Sequence, residues 1–339
     1  MYQALYRKWR PMSFDDVVSQ PHITTTLKNQ IKSGKTAHAY LFTGSRGTGK
    51  TTCARIFAKA INCLDPHDGE PCLECEICKD ADNGTLSDII EIDAASNSKV
   101  DDIRELREGV VYTPERCKYK VYIIDEVHML SAGAFNALLK TMEEPPPHVK
   151  FILATTEIHK VPATIVSRCQ HFDFHRIRNE DIVSRLMYIA SQEGFTLHED
   201  AAGMIARLSD GGMRDALSLL DQCVAYENDI TLDVVSSASG IAGRDYLFDI
   251  LEKIAEKDAA GALRVVDKLY DMSKDLKVLA GELLAQMRNV MIIKTIDNNK
   301  DLITCLPDEY ERLKALAERM KLDEILGDCL LYTSPSPRD

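Results

Sequence analysis

A glycine-rich segment near residue 45 has the residue types and spacing that bind nucleotide phosphates. It reads Gly44-Ser45-Arg46-Gly47-Thr48-Gly49-Lys50-Thr51, followed by Thr52, and matches GxxxxGK[ST]. Glycines let successive backbone N–H groups turn toward phosphate oxygens, and the dipole of a following helix favours the anion. Lys50 is suited to reach the β and γ phosphates, and the Thr51 hydroxyl is suited to ligate Mg²⁺. A plain glycine turn is disfavoured, because an apolar run precedes the motif and a helical pattern follows it.

A pair of carboxylates follows about 75 residues later, where an apolar run ends in Asp125-Glu126. Open α/β sheets bind their ligands beyond the carboxyl ends of the strands. Asp125 is suited to hold Mg²⁺ through water, and Glu126 to orient or deprotonate an attacking water. Such a strand end is common by itself. Together with the phosphate loop, it predicts an ATPase that cleaves the γ-phosphate.

Three further polar residues could complete this site. Thr155 ends another apolar run, and a strand there would lie beside the carboxylate strand, within reach of the attacking water or the γ-phosphate. Composition alone favours the alternative, an ordinary strand-end hydroxyl. Arg168 follows that strand, and Arg214 begins a later helix. A lone arginine usually forms a surface salt bridge, but the charge that develops on a γ-phosphate requires a cation from outside the loop.

Four of the ten cysteines lie within sixteen residues, at Cys63, Cys72, Cys75 and Cys78. Four thiolates at this spacing predict a tetrahedral Zn²⁺ site, and a redox pair is the weaker alternative. No fifth ligand or base in the pattern suggests catalysis, which favours a structural zinc. It would stiffen an insertion between the first helix after the phosphate loop and the second strand.

The elements that must position these residues alternate between strand and helix patterns over the first 175 residues. This alternation predicts an α/β domain with a parallel sheet covered by helices. Strands are predicted at 39–43, 89–92, 121–125, 151–155 and 170–174, and helices at about 22–33, 50–62, 99–111 and 131–143. After residue 178 the strand patterns stop, and helices are predicted at about 182–190, 199–207, 213–226 and through 245–328, with a linker at 236–243. We expect three domains, at 1–177 with the zinc insertion at 63–78, at 178–242 and at 243–330.

Composition excludes several classes of protein. The chain has 339 residues, 45% apolar and 28% charged, which is typical of a globular protein and not of a disordered or fibrous one. No apolar run reaches the length of a membrane span, and the first residues lack a signal-peptide core, so a cytosolic protein is expected. The net charge is −12, yet residues 1–60 hold ten Lys/Arg against two acids. A polyanion is expected to bind there, unless the charges form a chance surface face.

These motifs, in this order, resemble those of the AAA+ ATPases. More closely, the chain resembles the tau/gamma subunit family of bacterial DNA polymerase III. The similarity lies in the four-cysteine insertion and in six strings at 4–11, 14–20, 93–97, 101–106, 136–141 and 167–169. It covers about residues 2–330 and implies an AAA+ P-loop NTPase domain, a helical lid domain and an all-helical collar domain that holds a ring together.

The resemblance implies a clamp-loader motor for DNA replication, which hydrolyses ATP to load the sliding clamp onto primed DNA. Within the holoenzyme it would count among the DNA-directed DNA polymerases, which are transferases. Residues 44–52 would bind ATP and Mg²⁺, with catalytic roles for Lys50, Asp125, Glu126, Thr155, Arg214 and, reaching a neighbouring subunit's ATP, Arg168. The adenosine would contact Tyr6, Arg10, Pro11, Val17 and Val18. The implied partners are delta- and delta-prime-type subunits, copies of the chain in a pentamer, the clamp, and primed DNA contacted through its backbone. The implied location is the nucleoid-associated replisome in the bacterial cytoplasm.

Other classes fit less of the sequence. A helicase would explain the DExH string at 125–128, but it needs a second ATPase-like domain, and no strand patterns follow residue 243. A stator subunit that binds partners without hydrolysis would be expected to lack a complete phosphate loop or the acid at Glu126, and both are present. A zinc-ribbon DNA binder would leave the phosphate loop without a role. Residues 331–339 fit no element and are expected to be a non-native or disordered tail on a truncated collar.

Overall fold

The computed structural model describes residues 3–96, 106, 108–239, 245–272, 275–297, 299, 302–303, 305 and 307–333. The chain divides into two compact units, Met1–Leu232 and Asp233–Asp339. The three-domain division expected from the sequence remains a prediction. None of the helices in the described part of the chain combines the length and the apolar character needed to cross a membrane.

The first unit is built on a five-stranded parallel sheet with strand order β2-β3-β4-β1-β5. The strands are β1 (Ala39–Gly44), β2 (Ile89–Asp93), β3 (Lys120–Asp125), β4 (Val149–Thr155) and β5 (Gln170–Phe174). All five predicted strands are confirmed, and the three central ones are continuous apolar runs because both faces of the sheet are covered. Strand β4 lies beside the carboxylate strand β3, as predicted, and its other neighbour is β1. The ends of these three strands therefore present their polar residues at one edge of the sheet.

Helices cover both faces of this sheet. The helices of this part of the chain are α1 (Leu5–Lys8), α2 (Pro21–Ser33), α3 (Lys50–Asn62), α4 (Glu76–Asn83), α5 (Ala132–Glu143) and α6 (Ala163–Val166), of which α2, α3, α5 and α6 pack on the sheet. Side chains alternate along each strand, so Phe42 packs toward α2 and α3, whereas Phe151 packs toward α5. Ser131 caps α5 as predicted, since its side chain accepts a hydrogen bond from Ala134 N at 3.3 Å. Most of the helix predicted at 99–111 lies outside the described residues, and 108–110 are helical.

The remainder of the first unit packs three helices, α7 (Asn179–Glu193), α8 (Glu199–Leu208) and α9 (Met213–Tyr226). The prediction that strands stop after residue 178 is wrong in detail, because β6 (Thr196–Leu197) pairs in parallel with β7 (Asp229–Ile230). Two-residue strands have no periodicity for a sequence pattern to reveal. Leu197 and Ile230 are buried, and the pairing holds the segment between α7 and α8 next to the segment that follows α9.

The described part of the second unit is helical. Its elements are α11 (Asp245–Ala255), α12 (Ala259–Asp271), α13 (Leu276–Thr295), α14 (Pro307–Arg319) and α15 (Leu322–Thr333), preceded by α10 (Leu232–Ala238) at the junction. The linker predicted at 236–243 is wrong for its first three residues, which belong to α10 because Val234, Val235 and Ser236 are buried. Residues 331–333, assigned to a tail by the sequence, continue α15, and 334–339 lie outside the described residues.

Candidate nucleotide site

The phosphate loop joins β1 to α3 in a backbone conformation that requires glycine. Gly47 and Gly49 have φ angles of +77° and +104°, in the region that L side chains rarely adopt. The ammonium group of Lys50 lies at this loop and donates to the carbonyls of Gly44 at 2.8 Å and Ser45 at 2.7 Å. Burial lowers the pKa of Lys50, and the charges of Glu126 and Asp125 act in the opposite direction. A buried cation held only by carbonyl dipoles is suited to receive phosphate oxygens.

The strand ends bring together the two residues predicted to hold Mg²⁺. Thr51 Oγ1, in the first turn of α3, donates to Asp125 Oδ2 at 2.6 Å. Hydroxyl and carboxylate oxygens are the ligands that Mg²⁺ takes in phosphate-loop sites. These residues therefore fit a magnesium ion that would be shared with nucleotide phosphates and would neutralise their charge.

Glu126 occupies an unusual backbone position for a side chain that could orient water. Its φ and ψ are 47° and 46°, which is left-handed and costs about 1 to 2 kcal/mol for a residue other than glycine. Its carboxylate Oε2 accepts a hydrogen bond from Thr156 Oγ1 at 3.0 Å and another from Thr156 N at 3.3 Å. The sequence analysis did not assign Thr156, although it directly follows Thr155 at the end of β4.

Thr155 is completely buried and does not line the cleft surface. Its Oγ1 lies 3.0 Å from His128 Nδ1 and accepts a hydrogen bond from Glu157 N at 3.0 Å. The other ring nitrogen of His128 lies 3.0 Å from a Glu157 carboxylate oxygen, and Nδ1 lies 3.4 Å from Glu126 Oε2. The buried imidazole therefore links Thr155 to Glu126. His128 belongs to the DExH string, but the string does not indicate which residues its ring contacts.

A cleft of about 590 Å³ opens between the phosphate loop, the N-terminal segment and the three-helix bundle. All five residues predicted to contact adenosine line it, namely Tyr6, Arg10, Pro11, Val17 and Val18, together with 46–52, Asp125, Glu126 and Arg214. It is also lined by residues that the sequence analysis did not assign, which are Trp9, Asp93, Ala95, Ile177, Arg185, Met213 and Leu217. Trp9, Asp93 and Ala95 lie within the strings at 4–11 and 93–97, but those strings do not indicate a contact with nucleotide, and the other four residues belong to no motif. Burial, reinforced by the charge of Arg55, lowers the pKa of Arg10, whereas Glu91 raises it.

The three-helix bundle touches the phosphate loop directly through the start of α9. Met213 N donates to Gly47 O at 3.0 Å, and a Cβ added at Gly47 would lie 3.0 Å from Gly212 Cα. The guanidinium of Arg214 lies 5.2 Å from the centre of the Tyr6 ring. The bundle therefore supplies a cation to the same cleft that the phosphate loop opens into.

A second contact joins the N-terminal helix α1 to the bundle. Trp9 Nε1 donates to Glu193 Oε1 at 2.6 Å, and Lys8 pairs with the same carboxylate at 2.7 Å. The guanidinium of Arg185 lies 5.8 and 5.4 Å from the ring centres of Trp9 and Tyr188, which contact each other edge-on at 5.8 Å. Trp9 and Arg185 line the cleft, so these contacts between the N-terminal segment and α7 close it on the side where the sequence predicts adenosine.

Arg168 lies away from the cleft of its own chain. Its Nη1 donates to Thr164 O at 2.7 Å, and its Nη2 donates to Glu143 Oε1 at 2.7 Å. The side chain is about one-third exposed, at 33%. In this structure, therefore, its guanidinium does not reach the nucleotide cleft of its own chain.

The four cysteines converge as a metal site requires. Their sulfurs all lie within 4.8 Å of one another, with Cys63–Cys75, Cys72–Cys78 and Cys63–Cys78 separations of 4.0, 3.9 and 3.7 Å. A tetrahedral zinc–thiolate centre has sulfur–sulfur distances of about 3.8 Å, given Zn–S bonds near 2.3 Å. Although burial opposes it, hydrogen bonds from the backbone of Leu64 and Cys78 lower the pKa of Cys75 to about 7. The residues therefore fit a structural zinc ion.

The sheet order, the phosphate loop and the carboxylates at the end of β3 define a P-loop ATPase with a helical lid. Three family models match successive parts of the chain. They are described as DNA polymerase III, delta subunit, over residues 19–178, DNA polymerase III clamp loader subunit, ATPase lid domain, over 181–229, and DNA polymerase III subunits gamma and tau domain III, over 230–326. The chain belongs to the tau/gamma clamp-loader subunit family of bacterial DNA polymerase III, within the AAA+ ATPases.

Individual relatives agree with this assignment. The chain is 48% identical over 324 residues to DNA polymerase III subunit tau of Bacillus subtilis, covering 95% of this chain but 55% of that protein. It is 40% identical over 318 residues to DNA polymerase III subunit gamma of Buchnera aphidicola, covering 94% of this chain and 87% of that protein. The chain thus spans about half the length of the Bacillus relative.

The fold also has solved neighbours. A structure of the RuvB Holliday junction branch migration motor of Thermotoga maritima superimposes with a TM-score of 0.51 at 20% identity, covering 73% of this chain and 80% of that one. At this identity the likeness concerns the fold alone.

Proposed function

We propose that this chain is an ATP-driven motor subunit of the clamp loader, which hydrolyses ATP to place the sliding clamp on primed DNA. The observation that carries the proposal is the 2.6 Å hydrogen bond between Thr51 and Asp125 at the mouth of the phosphate loop, with Glu126 adjacent. A nucleotide-binding fold without hydrolysis would not need the carboxylate of Glu126 there. The contribution to DNA-directed DNA polymerase activity is then this hydrolysis and not nucleotide addition.

Within one chain, the residues divide the chemistry of hydrolysis among them. The backbone N–H groups of residues 44–52 and the Lys50 ammonium bind the phosphates, and Thr51 and Asp125 are suited to hold Mg²⁺, which offsets the charge of the transferring group. Glu126 orients the attacking water. His128 and Thr156 fix the carboxylate of Glu126, because both lie within contact distance of Oε2. Arg214 provides a cation from the lid, as the resemblance to the family implies.

Arg168 is proposed to act on the ATP of a neighbouring copy. The position of its guanidinium outside its own cleft supports this role, as does its partial exposure. Hydrolysis would then be coupled to assembly, because loss of the γ-phosphate removes a charge that Arg168 pairs with across the interface. The proposed partners are delta- and delta-prime-type subunits, further copies of this chain in a pentamer, the sliding clamp, and primed DNA held through its phosphates. The proposed place of work is the cytoplasmic, nucleoid-associated replisome.

The proposal is tested by measuring ATP hydrolysis with the partner subunits, with and without the sliding clamp and primed DNA. The motor predicts strong stimulation by clamp and primed DNA together, and its loss in Arg168→Ala. A hydrolysis rate that changes neither with clamp and primed DNA nor with Arg168→Ala would refute the proposal, provided that light scattering shows the complex to be assembled. Unwinding of duplex DNA without any clamp would favour a helicase instead.

A further inference from the structure

Of the residues between the first two cysteines of the metal site, 64–68 are exposed, whereas Gly69, Glu70 and Pro71 are buried or half-buried. We call residues 64–71 the docking loop, because its bend packs against helix α2. His67 and Glu70 form an antiparallel bridge, in which Glu70 N donates to His67 O at 2.8 Å and His67 N donates to Glu70 O at 3.1 Å. A Cβ added at Gly69 would lie 2.6 Å from Lys28 O, so this contact leaves no room for a side chain.

One carboxylate of the docking loop holds the backbone of the N-terminal segment. Glu70 Oε2 accepts a hydrogen bond from Phe14 N at 2.8 Å, and Glu70 Oε1 lies 2.9 Å from Lys28 Nζ. Lys28 in turn reaches Asp15 Oδ1 at 2.8 Å. The Glu70 side chain is only 14% exposed, so these charge-assisted contacts are screened less by solvent than a surface ion pair is.

The segment that Glu70 holds forms one wall of the nucleotide cleft. Phe14 is 1% exposed and packs into the core beneath the sheet. Its carbonyl accepts a hydrogen bond from Val17 N at 3.1 Å, and Val17 and Val18 line the cleft. A continuous path of contacts therefore runs from the docking loop, through Phe14, to the adenosine side of the cleft.

We propose that Glu70 is a positioning residue through which the four-cysteine site, when it holds Zn²⁺, sets the affinity of the cleft for nucleotide. The cysteines fix both ends of the docking loop, since Cys63 precedes it and Cys72 follows it. A wall that is ordered before binding loses little conformational freedom when the nucleotide arrives, and that lowers the cost of binding. The four-cysteine site thus influences nucleotide affinity through the docking loop. The inference rests on nucleotide binding at the proposed site.

The test compares Glu70→Gln with a matched variant of the same loop, Asp68→Asn. Asp68 pairs with Lys32 at 2.6 Å and is 78% exposed, and no described contact joins it to the N-terminal segment. For the full chain, we would measure the Kd of a fluorescent ATP analogue, the zinc content, and KM and kcat separately. Glu70→Gln is expected to raise Kd and KM roughly three- to tenfold, with one zinc per chain and kcat kept, because the amide oxygen still accepts from Phe14 N but lacks the charge that strengthens this bond and pairs with Lys28. Asp68→Asn is expected to stay within about twofold, as exposed ion pairs contribute little.

Removing the metal from the wild-type chain and from Glu70→Gln separates the effect of zinc from that of the rest of the docking loop. Chelation should raise the Kd of the wild-type chain by about the same factor as Glu70→Gln, and raise that of the variant little further, since both act on one contact. Equal affinity in Glu70→Gln and Asp68→Asn would overturn the role of Glu70. An equal chelation effect in wild type and variant would overturn the coupling through the docking loop. A wild-type chain that binds nucleotide no better than Lys50→Ala would overturn the proposed function, and the inference with it.

Discussion

At the scale of single residues, the proposed function assigns nucleotide binding and the orientation of water to different groups in the cleft. Lys50 reaches the loop carbonyls, whereas the carboxylate of Glu126 is turned toward Thr156 at the end of β4. Glu126→Gln should therefore lower kcat by about 10²- to 10⁴-fold, the usual contribution of a positioned base, with nucleotide affinity changed little. Lys50→Ala is the converse variant and should lose affinity. Steady-state hydrolysis and equilibrium binding of an ATP analogue check both, and a Glu126→Gln protein that fails to bind would contradict this separation.

A second residue-scale prediction concerns stability and pH. Asp88 is 2% exposed and accepts hydrogen bonds from Glu115 N, Arg116 N and Cys117 N, at 2.9, 2.8 and 2.9 Å. Although burial opposes it, these N–H groups hold the pKa of Asp88 below its usual value. Asp88→Asn should reduce the free energy of unfolding by about 2 kcal/mol at neutral pH.

The sign of the pH dependence follows from the lowered pKa of Asp88. Its contribution is fully present above the unfolded pKa, near 4, and is lost as pH falls through the lower folded value. The difference in the free energy of unfolding between wild type and Asp88→Asn should therefore be constant from pH 7 to about 5 and should decrease in more acidic solution. Urea unfolding followed by the fluorescence of Trp9, the single tryptophan, measures it. Asp229→Asn, which removes an exposed partner of His198, is the control. A difference in the free energy of unfolding that grows toward acidic pH would contradict the prediction.

At the scale of elements, the phosphate loop and helix α9 meet through close backbone contacts, and the side chains of Arg46 and Asp215 approach each other to 4.0 Å. A Cβ added at Gly212 would lie 3.0 Å from Asp215 Oδ2 and 3.1 Å from Arg46 O, so Gly212→Ala must push α9 away from the loop. The hydrogen bond from Met213 N to Gly47 O would lengthen, and nucleotide affinity should fall by about threefold to tenfold. Equilibrium binding of an ATP analogue measures this effect.

The matched control for that variant lies in the neighbouring helix. A Cβ added at Gly203, within α8, meets nothing within 4 Å. Gly203→Ala should therefore keep nucleotide affinity and raise the free energy of unfolding by about 1 kcal/mol, the difference in helix propensity. If both alanine variants bind nucleotide as the wild type does, the contact between loop and lid does not influence the cleft.

The elements also show what the sequence can and cannot reveal. Long apolar strands ending in polar residues were predictable, because a doubly covered parallel sheet imposes continuous apolar runs and places ligands at strand ends. The phosphate loop and the cysteine cluster were predictable because their chemistry fixes residue type at fixed spacing. The stack of Trp9 and Arg185, and the contact of Glu70 with Phe14, were not, since they join residues 176 and 56 positions apart whose types carry no spacing rule. The ladder of β6 with β7 was missed because two residues have no period.

At the scale of the whole molecule, the proposed role of Arg168 would make one chain an incomplete catalyst. Its guanidinium is bonded to Thr164 and Glu143 of its own chain and is absent from its own cleft. Arg168→Ala should therefore leave nucleotide affinity of the isolated chain unchanged. In the complex with partner subunits, an arginine finger contributes about 10³- to 10⁵-fold to the rate, so the same variant should lose nearly all stimulated hydrolysis. Arg178→Ala, whose contact is an exposed pair with Asp181, is the control for removing a positive charge.

Mixing two inactive variants distinguishes action between copies from action within one copy. Lys50→Ala removes the phosphate-binding ammonium but keeps Arg168, and Arg168→Ala has the opposite defect. If Arg168 serves a neighbour, complexes assembled from both proteins contain interfaces where an intact phosphate loop meets an intact arginine, and stimulated hydrolysis should rise well above that of either variant alone. If Arg168 served its own chain, no copy in the mixture would carry both groups, and the rate would remain the average of two inactive preparations. Hydrolysis measured across a series of mixing ratios should then peak at intermediate composition, a shape that simple dilution of either variant cannot produce.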